Sequence, residues 1–351
     1  MKYSLIIPVY NRPDEVDELL DSLTQQTHQD FEVIVVEDGS QVSCESVCQK
    51  YATSLDLHYY AKANSGPGQS RNDGAERAHG AYLIVLDSDC VLPPSYMQAV
   101  EDELHRQPSD AFGGPDRAHE SFTPVQKAIN YSMTSFFTTG GIRGGTAKRK
   151  PGPSLDRFYP RSFNMGIRSA LYQQLGGFSN MRFGEDIDFS YRICESGASC
   201  RLFSEAWVWH KRRTDMMKFW RQVHNSGIAR INLTKRHPGT LKLVHLLPAV
   251  FTLGVFALLL LVLVGMVLWM AGSAAGPCLA TLAFAPLVLF SLLVGVDSAL
   301  RNQSLWVGLL SIRASFTQLM GYGTGFLRAW WLRSVCGRNE ELQAYRENFY
   351  K

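Results

Sequence analysis

The sequence predicts an α/β domain built on a mostly parallel sheet, followed by C-terminal transmembrane helices. Two observations lead to this prediction. Short apolar runs alternate with amphipathic segments over roughly the first 215 residues of the chain. In contrast, no Asp, Glu, Lys or Arg occurs from Leu243 to Val296. The net charge of +3 on 351 residues is small, so a nucleic-acid partner is not expected.

The N-terminal half reads as strands and helices in alternation. Each apolar run is bounded by turn residues, and the first helix places its apolar residues on one face. An alternating order of this kind predicts a parallel sheet with helices on both faces. The predicted strands are Tyr3–Asn11 with its exit turn, Phe31–Glu37, Leu55–Ala61 and Tyr82–Leu86, and the predicted helices are Pro13–Gln26, Ser43–Ala52, one from Arg71 to about His79, and Pro94–Arg106.

The fourth strand, Tyr82–Leu86, runs directly into Asp87-Ser88-Asp89. Ligands of parallel sheets bind beyond the carboxyl ends of the strands, which is where these carboxylates fall. Two acids at the end of a buried strand are costly unless a positive group meets them, and a divalent cation carrying phosphate oxygens fits that need. The alternative is a solvated turn after a strand. Asp-x-Asp by itself does not decide between these readings.

Three more segments carry polar groups that could serve the same site. Gly66–Asn72 is a glycine-containing loop before a helix, and Arg71 in its last part excludes a dinucleotide fingerprint while leaving phosphate contact or a plain loop. Phe183–Arg192 opens a helix with Glu185, Asp186 and Asp188, beyond what helix-start charge requires. His210 ends a short strand, where a histidine is more often packed or capping than a metal ligand.

A glycine-rich and basic segment at residues 140–153 interrupts this pattern. Its composition is typical of a mobile loop over a site. A disordered insertion without a role has the same composition, so the two interpretations stay open.

Together these motifs resemble those of the family 2 glycosyltransferases, inverting nucleotide-sugar enzymes with the Rossmann-like GT-A fold. The resemblance covers roughly residues 1–215. It includes two segments not yet described, Pro8–Asn11 and Val36–Ser40, in addition to those above. Pro8–Asn11 looks like the strand end on the nucleotide side. Val36–Ser40 is similar to the Asp-Asp-Gly-Ser turn, with Glu37 in place of the commoner Asp. Gly66–Asn72 resembles Gly-x-x-x-Ala-Arg-Asn, with Ser70 where Ala is usual.

The resemblance also implies roles for single residues. Asp186 is implied as the catalytic base, and Asp89, Asp87 and His210 as the ligands of Mn²⁺ or Mg²⁺. Asp38 is implied to contact the base of the nucleotide. The full set of residues implied to bind substrate is Pro8, Tyr10, Asn11, Asp38, Arg71, Asp87 and Glu185.

The implied reaction is single-displacement transfer of a sugar from a nucleotide-sugar, UDP- in preference to GDP-, to the hydroxyl of a lipid-linked or glycan acceptor. One positioned base suffices for inversion. No Gln-x-x-Arg-Trp motif follows, which disfavours a processive synthase. One alternative is a polyprenyl-phosphate sugar transferase. An alternative of another class is a membrane-tethered nucleotide-sugar-binding subunit without turnover.

The C-terminal region predicts a multi-pass inner-membrane protein with its catalytic domain in the cytosol. Segments 246–270 and 279–296 are long enough to cross a bilayer, while 305–327 carries Arg313 and several polar residues and reads as an interfacial or third segment. No signal peptide is apparent, and seven cysteines without Cys-x-x-Cys spacing suit a reducing compartment.

The predicted domains follow from this pattern. Residues 1–214 form the glycosyltransferase domain. Residues 215–243 form a basic amphipathic helix on the membrane surface, because nine Lys or Arg lie between Lys211 and Lys242 against one acid, Asp215. Residues 244–351 form the membrane region and end in a cytosolic tail.

Overall fold

The computed structural model describes residues 2–119, 121–140, 158–181 and 183–341. They group into two compact units. The first unit comprises residues 2–119 and the described part of 158–211, and the second comprises residues 121–140 and 212–341. The loop predicted at 140–153 lies, apart from Gly140, outside the described residues. The predicted domain boundaries stay predictions.

The first unit is built on a seven-stranded sheet in the order β3-β2-β1-β4-β8-β6-β9, with a three-stranded sheet β5-β10-β7 beside it in the same unit. The prediction of an α/β, mostly parallel fold is confirmed. The strands are β1 (Tyr3–Val9), β2 (Phe31–Asp38), β3 (Leu57–Lys62), β4 (Tyr82–Leu86), β5 (Cys90–Val91), β6 (Ala111–Gly113), β7 (Asp116–Arg117), β8 (Asn164–Arg168), β9 (Cys200–Leu202) and β10 (Val208–His210).

The four predicted strands pair in parallel, β3 with β2, β2 with β1, and β1 with β4. The central residues of β1, β2 and β4 are almost completely buried, as expected of strands covered on both faces, whereas β3, at the edge of the sheet, is half-exposed. No strand was predicted for β5 to β9, and β8 runs antiparallel between β4 and β6. The consequence for the site is that β1, β2 and β4 end at one edge of the sheet, where Asn11, Asp38 and Asp87 lie.

Helices of the first unit cover the sheet. Val16, Leu19, Leu20 and Leu23 of the first helix are fully buried, as the periodicity predicts. A core cluster around β1, β2 and this helix lies on one face, and a second cluster containing Ile6 and Phe189 lies on the other. The helices up to residue 195 are α1 (Pro13–Thr24), α2 (Glu45–Tyr51), α3 (Pro67–Glu76), α4 (Tyr96–Arg106), α5 (Pro124–Thr134), α6 (Phe136–Thr139), α7 (Ser169–Gln174) and α8 (Glu185–Glu195). Of these, α5 and α6 belong to the second unit and the others to the first.

The second unit is helical in its described residues. Helix α5 begins with a capping box in which Thr123 accepts a hydrogen bond from the Gln126 backbone, with Pro124 at the first helical position. These are sequence signals of a helix start, although no helix was predicted here. The remaining helices are α9 (Met216–Arg236), α10 (Leu247–Met270), α11 (Ala275–Asn302) and α12 (Leu305–Trp330).

Helices α10 and α11 form an antiparallel hairpin with mostly exposed apolar side chains. Within the described residues, Leu243–Met270 and Ala275–Asn302 are the helical segments long and apolar enough to cross a membrane. Close packing joins the two helices near their shared turn, because a Cβ on Gly265 would meet the Ala280 nitrogen at 2.7 Å. The unusual exposure of apolar side chains has a direct explanation if lipid covers them.

Helix α12 crosses the open end of this hairpin. Its Gly323 approaches Pro248 and Thr252 near the start of α10, and its Ser311 hydroxyl lies 2.6 Å from that of Ser298 near the end of α11. A 26-residue helix is about 39 Å long. A helix of that length running alongside the hairpin would also contact the region of its turn. The contacts instead indicate that α12 lies across the hairpin.

Helix α9 packs its apolar side against α12. A Cβ on Gly227 would meet the Tyr322 carbonyl oxygen at 2.2 Å, and one on Gly325 would meet the His224 carbonyl oxygen at 2.0 Å. Phe219 and Val223 of the predicted amphipathic helix are buried in the same protein cluster. The apolar side of α9 is therefore covered by protein of the second unit at Phe219, Val223 and Gly227, and its position on a membrane surface stays a prediction.

Candidate active site

The exit turn of β1 is held to the exit turn of β2. Asn11 adopts a left-handed conformation with φ of 52°, which is uncommon for a residue other than glycine. Its Oδ1 accepts hydrogen bonds from the backbone nitrogens of Gln41 at 2.6 Å and Val42 at 3.1 Å. Its own backbone nitrogen donates to Ser40 Oγ at 2.9 Å. Asn11, expected to bind substrate, therefore uses its side chain to join two loops, while Pro8 lies in β1 and Tyr10 in the turn.

Asp38 ends β2 and is 3% exposed. Its Oδ1 accepts hydrogen bonds from Lys62 Nζ at 2.7 Å and the Ser65 nitrogen at 2.8 Å, and its Oδ2 accepts one from the Gly66 nitrogen at 2.8 Å. The carboxylate thus holds the loop that leads into α3. Its neighbour Glu37 is also buried, bonded to Ser43 at 2.7 Å and to Tyr59, and these bonds lower its pKa against the effect of burial.

Arg71 of α3 lies at the centre of the acidic residues. Its Nη2 donates to Asp87 Oδ1 and its Nη1 to Glu185 Oε1, both at 2.9 Å. Burial lowers the pKa of Arg71, but the charges of Asp87 and Glu185 outweigh burial and raise it, so the guanidinium stays charged. Arg71 was expected to hold the nucleotide. In this structure it joins the acids of two motifs that are far apart in sequence.

Asp89 and His210 lie together, as the resemblance implied. His210 Nε2 is 3.1 Å from Asp89 Oδ1 and 4.0 Å from Asp87 Oδ2. The backbone places them, because β10 pairs with β5 so that His210 lies opposite Cys90, next to Asp89. The ring of Phe163 stacks on the His210 ring with 5.0 Å between centroids. His210 is thus brought to the two acids by strand pairing and oriented by an aromatic contact.

The donor atoms here fit a hard divalent cation. Possible ligand atoms of Asp89, Cys90 and His210 lie within 4.8 Å of one another, with Asp87 adjacent. Carboxylate oxygens suit Mg²⁺ and Mn²⁺, whereas a thiolate would favour softer metals. Burial raises the pKa of the Cys90 thiol, and its Sγ lies 3.5 Å from the Phe163 carbonyl oxygen as a donor. The two carboxylates and the imidazole are therefore the groups that fit such a cation.

Glu185 and Asp186 open α8, after Gly184 in a left-handed conformation with φ of 82°. Asp186 Oδ2 accepts a hydrogen bond from Arg161 Nε at 2.8 Å. Burial raises the pKa of both acids. Glu185 ends with a raised pKa because the Asp186 charge adds to burial, while Arg161 and Arg71 bring the pKa of Asp186 below its usual value. Asp186 is thus ionised at neutral pH, as a general base must be.

Two arginines of this site were missed in the sequence. Arg12 Nη1 donates to Asp89 Oδ2, and Arg161 donates to Asp186. Arg12 follows the Pro8–Asn11 motif directly, which is a signal that could have been used. Arg161 lies 25 residues before Asp186, and no local pattern indicates the contact. Among the described residues, the acids and arginines form one connected set at the carboxyl edge of the sheet.

Comparisons with known proteins agree with this geometry. The model of glycosyl transferase family 2 matches residues 4–175. An uncharacterised glycosyltransferase of Haemophilus influenzae is 36% identical over 198 residues, 55% of this chain and 62% of that protein. Glycosyltransferase AglE of Haloferax volcanii is 26% identical over 201 residues, 56% of this chain and 62% of that protein. The chain therefore matches less than two thirds of either relative.

A solved structure extends the likeness of fold. The mannosyltransferase PcManGT from Pyrobaculum calidifontis, in complex with GDP-Man and Mn²⁺, superimposes with a TM-score of 0.56 at 15% identity. The match covers 94% of this chain and 87% of that one. The fold, the family model and the named relatives lead to one conclusion: over residues 4–175 this chain is a member of glycosyltransferase family 2, and its first unit has the GT-A fold.

Proposed function

We propose that this protein transfers a sugar from a nucleotide-sugar to an acceptor hydroxyl, with inversion, at the cytosolic face of a membrane. One observation carries the proposal. Arg71 joins Asp87 of the Asp-Ser-Asp segment to Glu185 of the Glu-Asp pair, so the residues expected to bind the diphosphate and those expected to activate the acceptor share one site. Nucleotide-sugar complexes of structural neighbours, such as PcManGT with GDP-Man, support a donor of this class.

The positions of the site residues suggest a different role for each group of them. Asp87, Asp89 and His210 would hold a Mn²⁺ or Mg²⁺ ion, which when bound neutralises charge on the departing diphosphate. Asp186 accepts the acceptor proton as the hydroxyl attacks the anomeric carbon opposite the leaving group. Arg161 keeps Asp186 ionised and fixes its carboxylate at 2.8 Å. Arg71 pairs with both Glu185 and Asp87 and so fixes the acceptor side of the site relative to the cation side.

Nucleotide release provides the test of the reaction. The detergent-solubilised protein is incubated with a panel of UDP- and GDP-sugars and Mn²⁺, with and without a hydroxyl acceptor and with a polyprenyl phosphate. Release that needs Mn²⁺ and a hydroxyl acceptor, and that is slower in Asp89→Asn, supports the proposal. Full activity in excess EDTA would sink the metal assignment. Turnover only with polyprenyl phosphate would identify the alternative enzyme, in which an ionised acceptor needs no base.

We further propose that α10 and α11 span the membrane and that α12 lies at its cytosolic interface. The contacts of α12 with Pro248, Thr252 and Ser298 place it at the hairpin end away from the 271–274 turn, where a spanning helix would instead follow the hairpin. The basic residues before α10 and the arginines at the end of α12 then lie on one side, as the positive-inside preference requires.

Two exposed cysteines allow this topology to be tested. Cys278 lies early in α11 near the turn, and Cys336 follows α12. In single-cysteine variants in intact cells, an impermeant thiol reagent should label Cys278 and spare Cys336, and permeabilised cells should label both. Labelling of Cys336 from outside would show that α12 crosses the membrane as a third span.

A further inference from the structure

A guanidinium lies on the carboxylate that is proposed to bind the cation. Arg12 Nη1 donates to Asp89 Oδ2, and the two side chains are only 24% and 11% exposed. Burial by itself lowers the pKa of Arg12, but the contact with Asp89 outweighs it and raises the pKa. This pairing is therefore an interaction between two charged groups that are largely removed from solvent. A divalent cation that binds Asp89 Oδ2 must compete with Arg12, and one that binds Oδ1, on the His210 side, is repelled by the same guanidinium.

The turn that carries Arg12 is held in place. Asn11, the preceding residue, keeps its left-handed conformation through the bonds of its side chain to Gln41 and Val42 and of its nitrogen to Ser40. Backbone in a sparsely populated conformation persists where the surroundings determine it, and such positions cluster at functional sites. Arg12 follows as the N-cap residue of α1, directly before Pro13, the first residue of the helix. Its direction toward Asp89 is set by the fold.

The charges around Asp89 nearly cancel. The ion pairs connect three acids, Asp87, Asp89 and Glu185, with two arginines, Arg12 and Arg71, so −3 and +2 leave −1 when Glu185, whose pKa is raised, is ionised. A divalent cation alone would turn this into +1. A cation with the two negative charges of a nucleotide-sugar diphosphate returns the sum to −1. The site thus accepts the pair with less change in charge than the cation alone.

We propose that Arg12 is an internal counter-cation that makes divalent-cation binding depend on the diphosphate. In the free protein Arg12 pairs with Asp89 Oδ2. When the cation and the donor bind, Arg12 releases this oxygen and binds the diphosphate through its guanidinium. The planar fork of arginine matches phosphate oxygens in a bidentate manner. This inference rests on the proposed function, because it needs a cation at Asp89 and a diphosphate next to it.

The test measures binding, independently of turnover. Mn²⁺ affinity is determined from the electron paramagnetic resonance signal of free Mn²⁺, for the detergent-solubilised full chain, without nucleotide and with saturating UDP or GDP. Nucleotide affinity is measured by calorimetry in Mn²⁺. The variants are Arg12→Gln and, as a matched control, Arg106→Gln, whose exposed side chain pairs with Glu103 on α4. Thermal melting confirms that each variant is folded.

The two affinities should move in opposite directions. In Arg12→Gln, Mn²⁺ without nucleotide should bind about three- to tenfold more tightly, because its competitor for Asp89 is gone. Nucleoside diphosphate in Mn²⁺ should bind about three- to tenfold more weakly, because a bidentate donor is lost. Arg106→Gln should change neither affinity. Weaker or unchanged Mn²⁺ binding in Arg12→Gln would overturn the proposal.

A second variant covers the case in which Arg12→Gln does not fold. Arg12→Lys keeps the charge but not the fork, so Mn²⁺ affinity without nucleotide should stay at the parent value while nucleotide affinity falls. Parent-like nucleotide affinity in Arg12→Lys would contradict the inference. A failure of the proposed function would give a different result. In that case the parent protein would bind no Mn²⁺, even with a nucleoside diphosphate present.

Discussion

Two acidic clusters share this site but balance their charges differently. The base-side cluster consists of Glu185 and Asp186 with Arg71 and Arg161, and each acid has an arginine at 2.8 or 2.9 Å. In the cation-side cluster, Asp89 pairs with Arg12, and Asp87 has only a share of Arg71. The site as a whole has four acids and three arginines in these pairs. Arg71 is shared equally by Glu185 and Asp87, and because burial and the Asp186 charge raise the pKa of Glu185, more of the surplus negative charge lies on the cation side, at Asp87.

This difference separates two uses of a buried carboxylate. A buried acid without a partner would take up a proton, so a base that must be ionised needs a fixed positive neighbour. A ligand for a cation needs the opposite, a negative charge that the protein leaves incompletely neutralised. The two clusters satisfy these two needs at positions that Arg71 holds together. The following predictions test whether the clusters can be disturbed independently.

The largest effect is expected from Asp186→Asn. The change keeps shape and hydrogen-bonding capacity but removes basicity, so turnover should fall by about 10²–10⁴-fold while Mn²⁺ and donor affinities survive. Single-turnover rates and calorimetry measure these two quantities. Asp188→Asn is the control in the same helix: Asp188 is 2% exposed and pairs with Arg192, so its loss should lower the melting temperature more than the rate. Near-parent turnover of Asp186→Asn would place the base elsewhere.

The next effect should come from Asp89→Asn, which acts on the other cluster. The loss of a charged ligand should weaken donor binding in Mn²⁺ by more than about tenfold, or about 1.4 kcal/mol. Parent protein in excess chelator should show the same weakening. Calorimetry with a nucleoside diphosphate, with and without Mn²⁺, measures both. Equal donor affinity in Asp89→Asn and in the parent protein would show that Asp89 does not bind the cation.

A smaller change, in pH dependence, is expected from Arg161→Gln. Arg161 helps to lower the pKa of Asp186, so in the parent Asp186 stays ionised as the pH falls below the usual range of an aspartate. Removing this cation should raise the pKa of Asp186. The acid limb of the turnover profile should then move to higher pH, with the plateau nearly unchanged. A profile that moves to lower pH, or one without any shift, would show that Arg161 does not control the base.

The smallest effect is expected from Gly68→Ala in α3. A Cβ at Gly68 would lie 3.3 Å from Glu185 Cγ and 3.4 Å from Phe178 Cβ, so Glu185 must move by a few tenths of an ångström. Turnover should fall less than about tenfold, well below the loss expected for Asp186→Asn. The greater helix propensity of alanine, worth up to about 1 kcal/mol, should offset the crowding in stability. Kinetics and thermal melting measure the two. A loss as large as that of Asp186→Asn would mean that the position of Glu185 is as critical as the base itself.

Most of the first unit was predictable because its signals are local. Fully buried parallel strands appear as short apolar runs, and the acids and glycines at their ends mark the edge where ligands bind. The prediction of Asp87, Asp89, Asp186 and His210 as one site relied on the resemblance to a family. The structure does bring Asp89 to His210 and, through Arg71, Asp87 to Glu185. The roles assigned to these residues stay predictions.

The pairs that balance the charges were not predictable in this way. Arg12 meets Asp89 across 77 residues and Arg161 meets Asp186 across 25, and an isolated arginine in a sequence is usually a solvated side chain. The antiparallel β8 was missed for a similar reason, since the direction of a strand depends on the route of the chain before it. Helix α5 was missed although its capping box is a local signal.

The sequence by itself determined the α/β fold, the edge at which the acids gather and the two long apolar helices, because burial and helix formation leave patterns in neighbouring residues. Only the tertiary structure decided which cation meets which acid, that α12 crosses the α10–α11 hairpin, and that α9 covers its apolar side with α12. These depend on contacts between distant segments. Their energies are set by desolvation and distance in the folded chain, and neither quantity is written in any local pattern.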